Sequence, residues 1–283
     1  MKLSVIVTTY NRPDALNAVL LGFSRQVGLT EDGWELLVAD DGSGRETADL
    51  VRRWQPVFGE RLKHVWHEDR GFRAAAIRNR AAAQAVGDYL IFVDGDCVPF
   101  PDFLSRHRAL AEPGKTVAGN RVLLSEAYTQ ALLASDNPTA PTGWSPLAWL
   151  GGWMRGDVNK AMAWLRLPLG GLRDRNAVKW SVYRTCNVGV WAHDFQVVDG
   201  MDEAFSGWGY EDSDFAVRLL RAGVRIKDGR FAVPVLHLWH RENDRSKQLE
   251  NWRRFEASLN GTHVRATRGL SSLDQPVAAE SIQ

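Results

Sequence analysis

Short apolar runs alternate with amphipathic segments along the first hundred residues of the chain. Runs at 3–7, 34–39 and 89–93, and a less regular one at 62–66, end in polar residues, which is typical of buried strands. Between the first two, Leu16, Val19, Leu20 and Phe23 recur at the spacing of one helical face. The alternation predicts βαβ units, and therefore an α/β fold with a mostly parallel central sheet.

Two local signals concern the loops after these strands. Ser43 and Glu46 have the spacing of a capping box, which predicts that the second helix opens there and continues through Trp54. No G-x-G-x-x-G follows the first strand, so the chain lacks the fingerprint of dinucleotide-binding proteins. A nicotinamide enzyme is therefore disfavoured.

The pattern changes after residue 100 and returns near residue 181. A helix is predicted at 101–111 and a strand at 116–124, before a tryptophan-rich insertion at 125–180. Strands at 181–191 and 231–238 follow, with a helix between them that ends at Gly223. A closing helix at 246–259 is expected to bury Leu249, Trp252 and Phe255, and the polar stretch 268–283 is predicted to be a disordered tail.

Composition limits the classes of protein to which the chain can belong. Hydrophobic residues make up 45% of 283 residues, enough for the core of one large domain. A net charge of +1 gives no case for nucleic-acid binding. Cys97 and Cys186 are far apart and have no metal or redox spacing, which favours a reducing compartment. The sequence shows no signal peptide and no run long enough to span a bilayer, so a cytoplasmic location is expected.

Two carboxylates, Asp94 and Asp96, follow the apolar run at 89–93 with Gly95 between them. Ligands of α/β sheets bind beyond the carboxyl ends of the strands, and carboxylate oxygens suit a hard divalent cation that in turn suits phosphate. The alternative is a simple turn, because Asp-Gly is common turn chemistry.

Four arginines crowd the predicted helix at 70–80 that directly precedes the Asp94 strand. Arginine forks recognise phosphate oxygens well, although a charge run is more often a solvated face. Because of its place before the acidic strand end, we expect Arg78 to lie near a ligand.

A second acidic group, Glu211, Asp212 and Asp214, follows Gly207-Trp208-Gly209-Tyr210. Acids at a helix start are good capping chemistry, which is the ordinary explanation. Two glycines around one indole also suit a loop that holds a sugar ring against tryptophan. Because adjacent helical residues point about 100° apart, Glu211 and Asp212 could serve different tasks, one binding a hydroxyl and the other removing its proton.

Two further features have open interpretations. His237 and His240 at a strand end could be structural, or could ligate a metal and favour Mn²⁺ over Mg²⁺. The insertion combines tryptophans with basic residues, which suits a membrane interface or a sugar platform, but it could equally pack its aromatic side chains inward.

Together these motifs resemble family 2 glycosyltransferases of the GT-A fold, whose Rossmann-like sheet is mostly parallel. The matching segments are Val5–Asn11, Asp40–Ser43, Ile77–Asn79, Asp94–Asp96 and Gly207–Asp212, with the last also resembling β-1,4-galactosyltransferases. Each segment is unspecific alone, but five in the same order are highly specific.

The resemblance implies a role for each motif residue. Thr9 and Asp41 would hold the uracil or its ribose, Asp94 would contact the ribose, and Arg78 would lie by the nucleotide. Asp212 would be the general base. Asp96 and His240 would bind the metal; His237 is a further metal candidate, although it lies where galactosyltransferases have methionine. The remaining donor-side candidates are Tyr10, Asn11, Arg12, Arg73 and Gly95; those of the acceptor side are Trp208, Gly209 and Glu211.

The expected function is an inverting, Mn²⁺- or Mg²⁺-dependent transfer of a sugar from a UDP-sugar to a hydroxyl of a glycan. Residues 1–124 would bind the nucleotide sugar, 125–180 would contact acceptor or membrane, and 181–267 would hold the acceptor and the base. The acceptor could be lipid-linked, in lipopolysaccharide or other surface-polysaccharide synthesis, with peripheral contact at the inner membrane face. An inactive glycan- or nucleotide-binding scaffold and a metal hydrolase are the alternatives.

Overall fold

The computed structural model describes residues 1–241 and 244–273, which form two sheets and the helices packed against them. The strands are β1 Leu3–Thr9, β2 Trp34–Asp40, β3 Leu62–Trp66, β4 Tyr89–Asp94, β5 Cys97–Pro99, β6 Lys115–Ala118, β7 Asn120–Leu123, β8 Asn187–Trp191, β9 Arg225–Asp228 and β10 Pro234–His237. The α-helices are α1 Pro13–Ser24, α2 Arg45–Phe58, α3 Ala74–Ala82, α4 Phe103–Leu110, α5 Glu126–Leu133, α6 Pro146–Met154, α7 Ala192–Val197, α8 Glu211–Arg221 and α9 Gln248–Asn260.

The large sheet has the strand order β3-β2-β1-β4-β8-β6-β9. The first four strands in this order are parallel, and β8 lies antiparallel between β4 and β6. Val7 pairs with Val38 on one side and with Val93 on the other, so β1, β2 and β4 end at the same edge. The predicted α/β class with a mostly parallel sheet is therefore confirmed.

Alternate residues of the central strands face two separate cores. Val5 and Val7 pack with α1 and α2 on one face, while Ile6 and Phe92 pack with α3, α7 and α8 on the other. Burial on both faces explains why these strands read as unbroken apolar runs.

A small sheet, β5-β10-β7, lies beside the large one. The single strand predicted at 116–124 is wrong, because the chain leaves the large sheet after Ala118 and enters the small sheet at Asn120. At Gly119 between them, an added Cβ would lie 2.3 Å from the Asn187 amide, so the crossover requires a glycine for space. The Asn187 side chain donates to the main-chain oxygens of Asn120 and Val233 at this junction.

Several predicted element boundaries differ from the structure. The strand expected at 181–191 is limited to β8, because Trp180–Val182 forms a 3₁₀ turn. The strand expected at 231–238 is limited to β10, and β5 and β9 were not predicted. The capping box is wrong: Gly44 precedes α2, and the Ser43 hydroxyl instead accepts from the Asn11 amide.

The insertion divides its aromatic side chains between core and surface. Trp149 is fully buried and packs on Phe100 and Trp144. On the opposite face of α6, Leu147 and Met154 are 80% and 74% exposed. Within the described residues, no helix is both long and apolar enough to cross a membrane.

The closing part of the chain also departs from expectation. In α9, Phe255 is buried as predicted, but Leu249 is exposed and Trp252 is only partly covered. Residues 268–273 of the expected disordered tail are hydrogen bonded: Asp202 accepts from the Arg268 amide and Asp199 from the Ser271 amide. The rest of the tail, 274–283, lies outside the described residues.

Candidate active site

A cavity of about 620 Å³ lies at the edge where β1 and β4 end. It brings together both acidic groups of the sequence, because Asp94 and Asp96 line it together with Glu211 and Asp212. The other predicted site residues in its lining are Thr9, Tyr10, Arg12, Asp41, Arg78, Gly95, Trp208, Gly209, His237 and His240. Asn11 and Arg73 are predicted site residues outside the lining.

Gly95 allows the first acidic turn to lie close to the end of β1. Its amide donates to the Thr8 carbonyl at 2.7 Å, and an added Cβ would come within 2.9 Å of that oxygen. Within the described residues, the nearby Thr9 hydroxyl is buried without a hydrogen-bond partner. It is therefore available to a ligand in the cavity.

Arg78 connects the two acidic groups. Its side chain is buried and donates to Asp94 at 2.8 Å and to the Thr8 hydroxyl at 3.0 Å, and its Nη1 lies 3.5 Å from Glu211. Since most of its donors are engaged by protein groups, Arg78 orders the carboxylates of the cavity more than it presents a free fork to phosphate. Arg78 nevertheless lines the cavity, and its proximity to a ligand remains a prediction.

Three potential metal ligands lie close together where the turn Asp94–Asp96 leads into β5. One ligand atom each from Asp96, His237 and His240 lie within 4.8 Å of one another. Pairing of β5 with β10 sets Cys97 opposite His237, which brings Asp96 next to that histidine. The Asp96 carboxylate lies 3.8 Å from His237 Nε2 and 3.4 Å from His240 Nε2.

The hydrogen bonds of the histidines fit a metal site. His240 Nδ1 lies 2.8 Å from the Arg241 carbonyl, which can only accept, so Nδ1 donates there and Nε2, which lies near Asp96, is the nitrogen left to bind a metal. Burial lowers the pKa of His237, which favours its neutral, ligating form. One carboxylate and two imidazoles suit Mn²⁺ better than Mg²⁺.

Asp41 is held by a partner that sequence reasoning missed. His67 Nε2 lies 2.6 Å from one Asp41 oxygen, and the Arg73 amide donates to the other at 2.8 Å. Both His67 and Asp41 are buried. The Arg73 main chain therefore serves the site through Asp41, while its side chain lies outside the cavity lining.

The remaining donor-side candidates have structural partners. Asn11 adopts φ 47°, and its side chain accepts from the Gly44 amide, so it braces two loops. Arg12 donates to Asp14, and the exposed Tyr10 hydroxyl donates to Asp69.

The Gly207-Trp208-Gly209-Tyr210 loop contains three residues with left-handed backbone conformation, two of which are glycines. Gly207, Gly209 and Tyr210 have φ of 76°, 110° and 71°, all in the left-handed region. Asn251 of α9 donates to the main-chain oxygens of Ser206 and Trp208 and holds the loop. Tyr210 stacks on Phe255, with ring centroids 5.6 Å apart. The loop thus starts α8 with Glu211 and Asp212 at the cavity.

The three acids of α8 have different environments. Asp214 is buried and bonded to Arg218 and the Ser258 hydroxyl, which makes it structural. Burial and the Asp212 charge raise the pKa of Glu211 to about 7, and its Oε2 is buried with no hydrogen-bond partner in the described residues. Burial also raises the pKa of Asp212, opposed by Arg184, whose Nε lies 4.0 Å from Asp212 Oδ2.

Several lining residues were not predicted as site residues: Thr8, Phe72, Ala74, Arg121, Arg184, Thr185, Cys186, Tyr210, Ser213 and Arg241. Thr8 and Tyr210 lie within recognised motifs, which could have drawn attention to them. Arg121 gives no signal, because one exposed arginine in a strand is ordinary alternation. Cys97 and Cys186 have no suggestive spacing in the sequence, but they interact in the structure. Burial, and to a smaller extent this contact, raises the pKa of the Cys97 thiol.

Two family models match the chain. The model described as glycosyl transferase family 2 matches residues 4–151, and the model described as the N-terminal domain of galactosyltransferase matches residues 175–240. These ranges contain both acidic groups of the cavity.

Among curated proteins, validoxylamine A glucosyltransferase of Streptomyces hygroscopicus subsp. jinggangensis is 31% identical over 270 residues, covering 89% of this chain and 60% of the relative. Hyaluronan synthase of Pasteurella multocida is 28% identical over 237 residues, covering 80% of this chain and 23% of the relative. The chain therefore spans 60% or less of the length of these two relatives.

Solved structures of similar fold include a fragment of S. aureus TarS in complex with UDP, with a TM-score of 0.58 and 17% identity over 97% of this chain and 69% of that one. The mannosyltransferase PcManGT from Pyrobaculum calidifontis, in complex with GDP-Man and Mn²⁺, has a TM-score of 0.55 and 19% identity, covering 90% of this chain and 61% of that one. Because the family 2 model matches more than half of the chain, and the neighbours share the architecture described above, this protein belongs to glycosyl transferase family 2 and has the GT-A fold.

Proposed function

We propose that the protein transfers a hexose or N-acetylhexosamine from a UDP-sugar to a hydroxyl of a glycan, with inversion at the anomeric carbon and with a divalent cation. The observation that carries this proposal is the shared cavity: the metal-ligand group of Asp96, His237 and His240 faces the same space as Asp212. The UDP in the complex of TarS supports the choice of nucleotide.

The donor would lie along the ends of β1 and β4. The Thr9 hydroxyl, which has no hydrogen-bond partner among the described residues, and the Asp41 carboxylate, which His67 and the Arg73 amide hold, would bond the uracil or the ribose. Asp94, one-third exposed and held by Arg78, has lone pairs left for a ribose hydroxyl. Each of these groups is fixed by protein contacts, which lowers the entropy lost on binding.

Asp96, His237 and His240 would hold the cation, with Mn²⁺ favoured over Mg²⁺. When bound, such an ion would neutralise the charge that develops on the departing diphosphate. The Mn²⁺ in the complex of PcManGT supports a metal requirement.

Asp212 would remove the proton of the acceptor hydroxyl as the bond to the anomeric carbon forms. Its carboxylate is 17% exposed and faces the cavity, and a raised pKa makes it a stronger base than an ordinary aspartate. Glu211 Oε2 is buried and has no partner in the part of the chain that the structure describes, and it would bond a sugar hydroxyl beside Trp208 and Gly209. Attack by the activated hydroxyl opposite to the departing diphosphate gives inversion.

Calorimetry and a turnover screen test this proposal. We expect UDP to bind more tightly with Mn²⁺ than without it, and one of UDP-glucose, UDP-galactose, UDP-GlcNAc and UDP-GalNAc to be hydrolysed slowly without acceptor. Binding of UDP without turnover of any UDP-sugar, even with mixed glycan acceptors, would favour an inactive scaffold. Metal binding with no affinity for UDP would refute the proposal and favour a metal hydrolase.

We also propose that the acceptor is a lipid-linked glycan of surface-polysaccharide or lipopolysaccharide synthesis, reached from the cytoplasmic side. The exposed apolar side chains of α6, Leu147, Leu150, Trp153 and Met154, support a peripheral membrane contact. Sedimentation with anionic liposomes should fall when Leu147 and Met154 are both replaced by serine. Absence of sedimentation by the unmodified protein would contradict this contact.

A further inference from the structure

One wall of the cavity carries two guanidinium groups, those of Arg121 and Arg184, and in the described part of the chain neither has a carboxylate within hydrogen-bond distance. Arg121 of β7 is exposed, and its Nη1 contacts Cys186 Sγ at 3.9 Å. Arg184 donates from Nη1 to the Tyr183 carbonyl, and its Nε stays 4.0 Å from Asp212. All three residues line the cavity, and we call the two arginines the arginine wall. In contrast, Arg78 and Arg12 in the same cavity each have a carboxylate at 2.8–3.0 Å.

The surroundings of the arginine wall add positive charge. Lys160 Nζ donates to the Arg121 main-chain oxygen at 2.7 Å. Burial lowers the pKa of Lys160, and the charges of Arg121 and Arg230 lower it further. Arg230 is itself paired with Asp228, but in the described residues Arg121 has no carboxylate within 4.0 Å. Solvated arginines are common, yet these two line a concave cavity that focuses their field beside Asp212.

We propose that the arginine wall binds an anionic group of the acceptor, a carboxylate or a phosphate. This inference rests on the proposed function, which puts the acceptor hydroxyl at Asp212. A guanidinium fork bonds two oxygens of such a group and so fixes its distance from the hydroxyl that reacts. The acceptor is then an acidic glycan, and Arg121 and Arg184 determine specificity for it.

The donor diphosphate is the other anion that could occupy the wall, because Arg121 also faces His237 of the metal-ligand group. The two possible anions, the donor diphosphate and an anionic group of the acceptor, predict different results for variants of the arginine wall. A diphosphate contact would be lost together with affinity for UDP. An acceptor contact would leave UDP binding unchanged and remove only the preference for acidic acceptors.

The test uses the full chain and the variants Arg121→Gln, Arg184→Gln and, as a charge-matched control, Arg45→Gln. The Arg45 side chain is 88% exposed on α2 and is not part of the cavity lining. Calorimetry at saturating UDP and Mn²⁺ compares methyl β-D-glucuronide with methyl β-D-glucoside, and glucose 6-phosphate with glucose. In the wild type and Arg45→Gln we expect at least one anion to bind about tenfold more tightly than its neutral counterpart, as one charge-assisted contact supplies.

In Arg121→Gln and Arg184→Gln that preference should approach unity, while the Kd for UDP stays within about twofold of wild type. Equal binding of anionic and neutral probes by the wild type would overturn the proposal. A tenfold loss of UDP affinity in either variant would also overturn it, by assigning the wall to the diphosphate. Failure of the wild type to bind UDP would instead refute the proposed function, and the same probes titrated without nucleotide would still decide the role of the wall.

Discussion

Replacing Arg78 by glutamine should destabilise the protein by an amount that depends on pH. Arg78 lies 2.8 Å from Asp94 and 3.5 Å from Glu211, which corresponds to about 6 and about 5 kcal/mol of gross attraction at an effective dielectric constant of 20. Asp94 is one-third exposed, so solvent screens its share, and burying the guanidinium opposes both. The net loss on removing one partner of a buried pair is about 3–5 kcal/mol.

The dependence on pH follows from Glu211. Its pKa is already about 7, and the positive charge of Arg78 holds it from rising further. Without Arg78, the pKa of Glu211 would rise, and its carboxyl would stay protonated to a higher pH. Below that pH, Glu211 is neutral in the variant, so no unpaired charge is buried. The destabilisation should therefore be larger at pH 8 than at pH 6.

Urea unfolding at both pH values measures this difference in the free energy of unfolding. The double variant Arg78→Gln with Glu211→Gln should recover about 1–3 kcal/mol relative to the sum of the two single changes. Arg45→Gln, which alters one exposed cation, should leave the midpoint unchanged. A loss below about 1 kcal/mol at pH 8, or equal losses at both pH values with no rescue, would refute the view that Arg78 neutralises the cavity acids.

Three other changes separate chemistry from structure. Asp212→Asn should lower turnover on the order of a hundredfold or more and leave the affinity for UDP unchanged. Asp214→Asn should instead lower the free energy of unfolding, because Asp214 bonds Arg218 and Ser258, and should leave turnover per folded molecule nearly unchanged. Turnover and urea unfolding of both variants check this difference. His240→Ala should reduce the gain in UDP affinity that Mn²⁺ provides by about tenfold or more while metal-free UDP binding stays the same, and an undiminished gain in calorimetry would exclude His240 as a ligand. Because the pKa of Glu211 is raised in the folded state, the folded protein keeps this proton to a higher pH than the unfolded chain does, and the free energy of unfolding of the wild type should fall as pH rises from about 5 to 8. In Glu211→Gln this part of the fall should vanish. If urea unfolding gives the same pH profile for the variant and the wild type, the raised pKa is not that of Glu211.

The fold could be predicted where local pattern and tertiary environment agree. Tyr89–Val93 is buried on both faces, so its apolar run identifies a central strand without further information. Residues 116–124 read as one strand because nothing local marks the crossover at Gly119, whose need for space is set by Asn187 far along the chain. The Ser43 capping box failed for a similar reason, since a loop contact with Asn11 uses its hydroxyl.

The candidate site shows the same division. Asp96, His240 and Asp212 were predicted because acids and histidines at element ends carry chemistry, and the structure places them around one cavity. Their roles remain predictions. His67, Arg121 and Arg184 were missed because their places depend on β3, β7 and the loop before β8 meeting in space, which residue spacing does not record.

Gly119 has a consequence for the metal-ligand group although it belongs to no motif and lies outside the cavity lining. A methyl group there would displace the Asn187 amide from the main-chain oxygens of Asn120 and Val233, and so shift β10 against the large sheet. Asp96 and His237 are tied to each other by the pairing of β5 with β10, whereas Asp212 lies in the first turn of α8, which packs on the large sheet. A lesion at this crossover would thus shift the metal-ligand group relative to Asp212, and a screen for inactive alleles would find it with every recognised motif intact.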